Sequence, residues 1–208
     1  MFELTSKELS ILKRLNTPNK IQDFLDSLPI NYEKSGETCM SPRRVLREQK
    51  AHCIEGAFLA GVAMMLNGEE SLILNLKVGR GDYDHIVVLF KRNGYWGGIS
   101  KTNHAVLRFR DPIYKTTREL ALSYFHEYFL NTSGKKTLLG YSRPINLKRF
   151  GTKWITSEKD LWIIAEKIFD MPYTRFVPKG NERFIRRASI LERKAGALTD
   201  WKKKDKRT

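Results

Sequence analysis

Apolar positions along this chain follow two periods, and the change between them divides it. From Thr5 to Gly68 they recur every three or four residues, the spacing of one helix face. Thr5-Ser6-Lys7-Glu8 has capping-box spacing and predicts a helix through about Leu15. Thr17-Pro18 then supplies a cap and a first-position proline ahead of Ile21, Phe24, Leu25 and Leu28. Pro29 closes that helix, and a polar loop with Gly36 leads to Cys39. Ser41-Pro42 opens a short amphipathic turn of helix. After Ala51-His52-Cys53, the run Ile54, Ala57, Phe58, Ala60, Gly61, Met64 and Met65 predicts a buried helix, stopped by Asn67-Gly68.

From Leu72 the period changes. Leu72 to Val78 reads as a strand, Gly79 to Asp82 as a turn, and His85 to Phe90 as a β-branched strand. Asn93-Gly94 is a two-residue hairpin signal, so Tyr95 to Ser100 returns antiparallel. A further strand is expected from Ala105 to Arg110, ending at Asp111-Pro112. Thr116 to Glu119 caps a helix carrying Leu120, Leu122, Phe125, Tyr128 and Phe129. Residues 131–150, with Gly134, Gly140 and Pro144, read as loop. Ser157 with Asp160 starts a last helix through Phe169, closed by Pro172. Helices, then an antiparallel sheet, then helices describe an α+β domain over residues 1–178.

The 208 residues suffice for one domain with a core. No apolar run is long enough to span a membrane, and Met1 to Leu15 has no signal-peptide pattern. Two cysteines, Cys39 and Cys53, do not make a disulfide scaffold, so a cytoplasmic setting is expected. The net charge of +15 is concentrated in the C-terminal third. Residues 179–208 read as a basic, partly disordered tail. In and just before residues 175–208, Tyr173, Phe176, Phe184 and Trp201 are interspersed with Arg175, Lys179, Arg183, Arg186, Arg187 and residues 202–204. An anionic partner, either nucleic acid or an acidic protein, is one expectation; a solvated basic tail is the other.

The chemistry concentrates at Cys53. In the first turn of a helix, unpaired N–H groups and the dipole favour a thiolate, which needs a histidine partner. Of the four histidines, His52 adjoins Cys53, but helical neighbours point about 100° apart, so a direct bond is not expected. His85 opens a core strand where its ring can reach a site edge. His104 starts a later strand, and His126 reads as a packed or surface residue. No ligand spacing for a metal is recognisable among His52, Cys53, Glu55 and His85, and no cofactor is expected.

These residues resemble the transglutaminase-like superfamily, relatives of the papain-like cysteine proteases. The resemblance rests on Ser41 to Leu46 as a proline-started turn, Cys53 at a helix start, Asp84-His85-Ile86-Val87, and Gly94-Tyr95-Trp96 in the hairpin. The stretch Ile21 to Pro29 is similar to the lead-in helix of bacterial members. The resemblance covers about residues 18–112. It implies a papain/transglutaminase-like core with the nucleophile helix packed on an antiparallel sheet. It further implies thiol-dependent acyl transfer on a protein or peptide substrate: hydrolysis of an amide, deamidation or crosslinking. His52 stands where the family has glycine, and no acid follows Trp96. Asn103 is the expected orienter of His85 and requires a register slip of one residue, since an unslipped hairpin puts His85 opposite Thr102. Ser100 and Asp111 are the alternatives. Gln49 is a candidate oxyanion donor. The rival reading is a catalytically inactive scaffold of the same fold, with Cys53 a small core hydrophobe.

Overall fold

In the computed structural model, which describes residues 2–34 and 36–199, seven α-helices surround an open antiparallel sheet of seven strands. The α+β class is thus the class of the fold. Local signals at the N-terminus act as their chemistry dictates. Thr5 and Glu8 form a complete capping box on α1 (Ser6–Arg14), and Thr17 caps α2 (Pro18–Ser27) with Pro18 at its start. Ser41 caps α3 (Pro42–Glu48), which ends on Gln49 in a left-handed conformation. Helix α4 (Cys53–Leu66) is buried continuously from Ile54 to Met64. A helix apolar on all sides must be enclosed by other elements, and α1, α2 and α3 all pack against it.

β1 (Leu72–Val78), β2 (His85–Arg92) and β3 (Tyr95–Ser100) form a meander. Asn93 and Gly94 both have positive φ, 49° and 87°, as the tight hairpin requires, and Arg92 faces Tyr95. Along β2, Ile86, Val88 and Phe90 join the core under α4, while Val87 and Leu89 join a second core on the other face with Tyr124 and Tyr128.

The next strand lies further along than expected. Residues 105–109 are irregular, and β4 spans Arg110–Tyr114. Leu107 has φ 62°, its N–H donates to Glu127 Oε2 at 2.7 Å, and its carbonyl accepts from Ser100 Oγ. Backbone groups satisfied in this way cannot extend a ladder. β4 is an edge strand, which tolerates Pro112. Helix α5 (Thr117–Leu122) is shorter than its apolar pattern suggests; Phe125 and Tyr128 follow in turns yet still pack in the second core.

Residues 131–150, expected as loop, carry β5 (Leu138–Ser142) and β6 (Ile145–Asn146), both paired with β1. Gly140, which concealed the strand, is needed there: a Cβ would collide with the Thr174 carbonyl on β7 (Tyr173–Arg175). Helix α6 (Trp162–Phe169) begins after Leu161. Asp160 does not cap it but accepts from the Cys39 N–H and from Arg44. The sheet order is β4-β3-β2-β1-β5-β7, with β6 also on β1.

Much of the expected tail belongs to the domain. Helix α7 (Ile190–Gly196) lies in it, the Ala188 N–H donates to Gly134 O, and the Ala105 N–H donates to Leu198 O. Trp201 and residues 202–204 lie outside the described residues. No helix among the described residues is long and apolar enough to cross a membrane.

One close approach seats α4 on the sheet. A Cβ on Gly56 would stand 2.6 Å from Lys101 Cβ, an atom fixed to the backbone just beyond β3. Gly56→Ala is therefore expected to destabilise the fold by about 1–3 kcal/mol, as overpacking does. Urea unfolding would measure it, and an unchanged midpoint would contradict this packing.

Candidate active site

Cys53 occupies the first helical position of α4 and is partly exposed. First-turn N–H groups have no acceptor within the helix, so they favour negative charge at the sulfur. His85 is set by its neighbour. The Asp84 carboxylate accepts from Asn75 Nδ2, Lys77 Nζ and the Val78 N–H, each at 3.0 Å, which fixes the entry into β2. The side chains of His52 and His85 both hydrogen-bond the Cys53 sulfur.

The His85 ring is partnered by Ser100, not by Asn103. Nε2 lies 2.6 Å from Ser100 Oγ, while Asn103 Nδ2 donates to Tyr32 Oη at 3.3 Å. Register explains the difference. Val87 pairs with Ser100 on an unslipped hairpin, so His85, two residues earlier on the same face, is the diagonal neighbour of Ser100. Asn103 lies beyond the ladder, where the chain turns away. Asp111 is exposed on β4.

The hydroxyl also fixes the tautomer. Ser100 Oγ donates its single proton to Leu107 O at 2.5 Å. It can only accept from His85, so Nε2 carries a hydrogen and Nδ1 faces the sulfur. Ser100 is itself clamped: its N–H donates to Gln22 Oε1 and its carbonyl accepts from Gln22 Nε2, both at 2.9 Å.

His52 corrects the sequence argument. It is the N-cap residue, with φ −96° and ψ −173°, so the angular rule for helical neighbours does not apply and its ring reaches Cys53. Nε2 donates to the Thr38 carbonyl at 2.9 Å and lies 3.4 Å from carboxylate oxygens of both Glu33 and Glu55. Glu55, fully buried, accepts from the N–H groups of Met40 and His52 and from Asn31 and Thr38 side chains. The signal for Glu55 was present: it stands three residues after the cap, the spacing of a capping box. Gln22 had no local signal.

Burial opposes charge on both Cys53 and His52, yet the contacts prevail. Hydrogen bonds from His52 and His85, and then their charges, bring the Cys53 thiol down to about 6. The bond to Cys53 and the charge of Glu55 raise His52 to about 9. Cys39 contrasts: burial, then the charge of Glu55, pushes its thiol up to about 12. Gln49 is committed elsewhere, its side chain donating to Leu46 O at 2.5 Å. His104 Nδ1 is bonded to Gly196 O, and His126 is exposed against Phe125. A cleft of about 500 Å³ passes Tyr32, Glu33, Thr38 and Gln49 on the His52 side. Among the described residues no group of three His, Cys, Asp or Glu is arranged to hold a metal ion.

A thiol lowered to about 6 is ionised above that pH and protonated below it. Iodoacetamide labelling of Cys53 is therefore expected to inflect near pH 6, with Cys39 unlabelled at neutral pH. Peptide mass spectrometry across a pH series reads both; an inflection above pH 8 would contradict the geometry. Comparison of the chain with protein-family models and with curated proteins finds no match to either.

Proposed function

We propose that the chain is a thiol-dependent acyl-transfer enzyme with a papain/transglutaminase-like core. One observation carries the reading: a partly exposed sulfur at a helix start, bonded by an imidazole whose far nitrogen is oriented by a hydroxyl. The resemblance of Ser41 to Trp96 to the transglutaminase-like superfamily supports it. In the proposed reaction the Cys53 thiolate attacks the carbonyl carbon, and the C=O pair moves onto oxygen. First-turn N–H groups of α4 receive that oxyanion. His85 Nδ1–H protonates the leaving amine as the C–N bond breaks, leaving a thioester. His85, now neutral, takes a proton from the acceptor, water or an amine, whose attack releases the acyl group and restores the thiolate. Ser100 keeps its bond to Nε2 throughout and so holds the ring in place.

p-Nitrophenyl acetate tests this without knowledge of the natural substrate. A burst stoichiometric with Cys53 is expected, followed by turnover that falls about 10²- to 10⁴-fold in His85→Gln. Turnover unaffected by His85→Gln, or by Cys53→Ala, would reject the enzyme and favour the inactive scaffold.

The basic third supports a partner as well. Two hollows, of about 550 and 290 Å³, share Arg175, Val177 and Glu182. Their floor is apolar (Leu138, Leu139, Phe176, Ile185), and exposed Arg118, Lys135, Lys179 and Arg187 stand around it. The aromatic rings lining these hollows are occupied: Phe176 stacks on Tyr141 at 5.3 Å and meets Phe125 edge-on at 6.4 Å. Bases need free faces for stacking, so an acidic protein segment with apolar side chains fits better than nucleic acid. Such a peptide should bind, weaken with salt, and lose about tenfold or more in the triple variant Arg118→Glu, Lys179→Glu, Arg187→Glu. Equal or tighter binding of single-stranded RNA in the same titration would reverse the assignment.

A further inference from the structure

We infer that His52, held by Glu55 and Glu33, is the standing cation of the site, a positioning residue that keeps Cys53 ionised whatever the charge on His85. The inference deepens the reading of Cys53 as nucleophile and rests on it. Its basis is the asymmetry between the two rings that flank one sulfur. His85 meets only neutral groups at its far nitrogen, the Ser100 hydroxyl and beyond it the Leu107 carbonyl. His52 meets a carbonyl at 2.9 Å and two carboxylate oxygens at 3.4 Å. A carbonyl oxygen only accepts, so Nε2 carries a hydrogen in every state. Nδ1 is then the nitrogen bonded to the sulfur, and as N–H it donates to a thiolate. The resulting imidazolium lies between the thiolate and two carboxylates, an arrangement that strongly favours its charge.

The ionisable groups around His52 come from every element packed on it. Cys53 and Glu55 belong to α4, and Glu33 and Cys39 to the connection between α2 and α3. His85 and Tyr128 lie across the sulfur. Among these only His85 supplies a second positive charge. The consequence is a division of labour. With a single histidine, thiolate and imidazolium would form and vanish together, so the nucleophile would exist only while that one ring held its proton. With His52 fixed, His85 can release and recover its proton while the sulfur stays anionic.

The test is the pH dependence of iodoacetamide labelling at Cys53 in the full chain, alongside p-nitrophenyl acetate turnover. In His85→Gln, labelling at pH 7 should remain within about threefold of wild type although turnover is lost. In His52→Gln, labelling at pH 7 should fall about tenfold or more, with its inflection moved toward the ordinary thiol value of about 8.5. Glu33→Gln removes one carboxylate charge while its amide oxygen can still accept from the Thr38 N–H, and should raise the inflection by a few tenths of a pH unit. Near-UV circular dichroism checks each variant; should His52→Gln not fold, an inflection unmoved in Glu33→Gln overturns the inference. So does labelling that collapses in His85→Gln but persists in His52→Gln. Wild-type chain that labels as described but never turns over the ester would refute the enzyme while leaving the role of His52 intact.

Discussion

A single carboxylate with no exposed surface, that of Glu55, ties together the segments on which the site depends. Burying an ionised group unaided costs many kcal/mol, so the surroundings must replace its hydration. They do so with four donors from two segments: Asn31, Thr38 and Met40 on the connection between α2 and α3, and the His52 N–H at the head of α4. Those donors come from segments up to 24 residues away in sequence, so the loop before α3 and the start of α4 cannot move independently. The carboxylate also sits in the first turn of α4, where the helix dipole welcomes it. Through the same contacts it locates the His52 ring, and through His52 the sulfur.

The other half of the site is held from the opposite direction. Gln22 on α2 occupies both backbone groups of Ser100, and the neighbouring Lys101 donates to the carbonyls of Leu25 and Leu28, where α2 ends. A cation at a helix C-terminus completes carbonyls that would otherwise lack partners. The end of β3 is thus fastened to α2 by main-chain bonds on one residue and a buried ammonium on the next. Ser100 is not merely near His85. Its position is over-determined, which is what a residue that fixes an imidazole tautomer requires.

What the sequence disclosed and what it concealed divide along the range of the interactions. Caps at Thr5, Thr17 and Ser41, and the turn at Asn93-Gly94, are settled within four residues, and their patterns are legible. The paired thiol and imidazole followed from helix-start chemistry plus a strand that begins with histidine. β5 was hidden because Gly140 carries no side chain to mark a period, and its reason for being glycine lies 34 residues away on β7. Residues 105–109 look like a strand by composition, but side chains from elsewhere take their backbone partners. Asn103 reaches His85 only if the hairpin slips by one residue, and it does not. Diagonal neighbours on one sheet face approach closely without any slip, and Ser100 is that neighbour of His85. The helical angle between neighbours does not apply to His52, because a cap residue is not helical.

The lowered Cys53 thiol does not owe its shift to the overall +15 of the chain. Exposed lysines and arginines act through water, and at physiological ionic strength their influence fades over about 8 Å. The groups that lower the Cys53 thiol are the two rings beside it, those of His52 and His85. Around those rings the balance is close to even: Glu33 and Glu55 face His52, while His85 faces neutral oxygens. The basic third of the molecule and the thiolate are therefore separate electrostatic devices. One is a broad, screened field of surface charge. The other is a short-range arrangement of partly and fully buried groups, in which removing one hydrogen bond matters more than adding several surface charges.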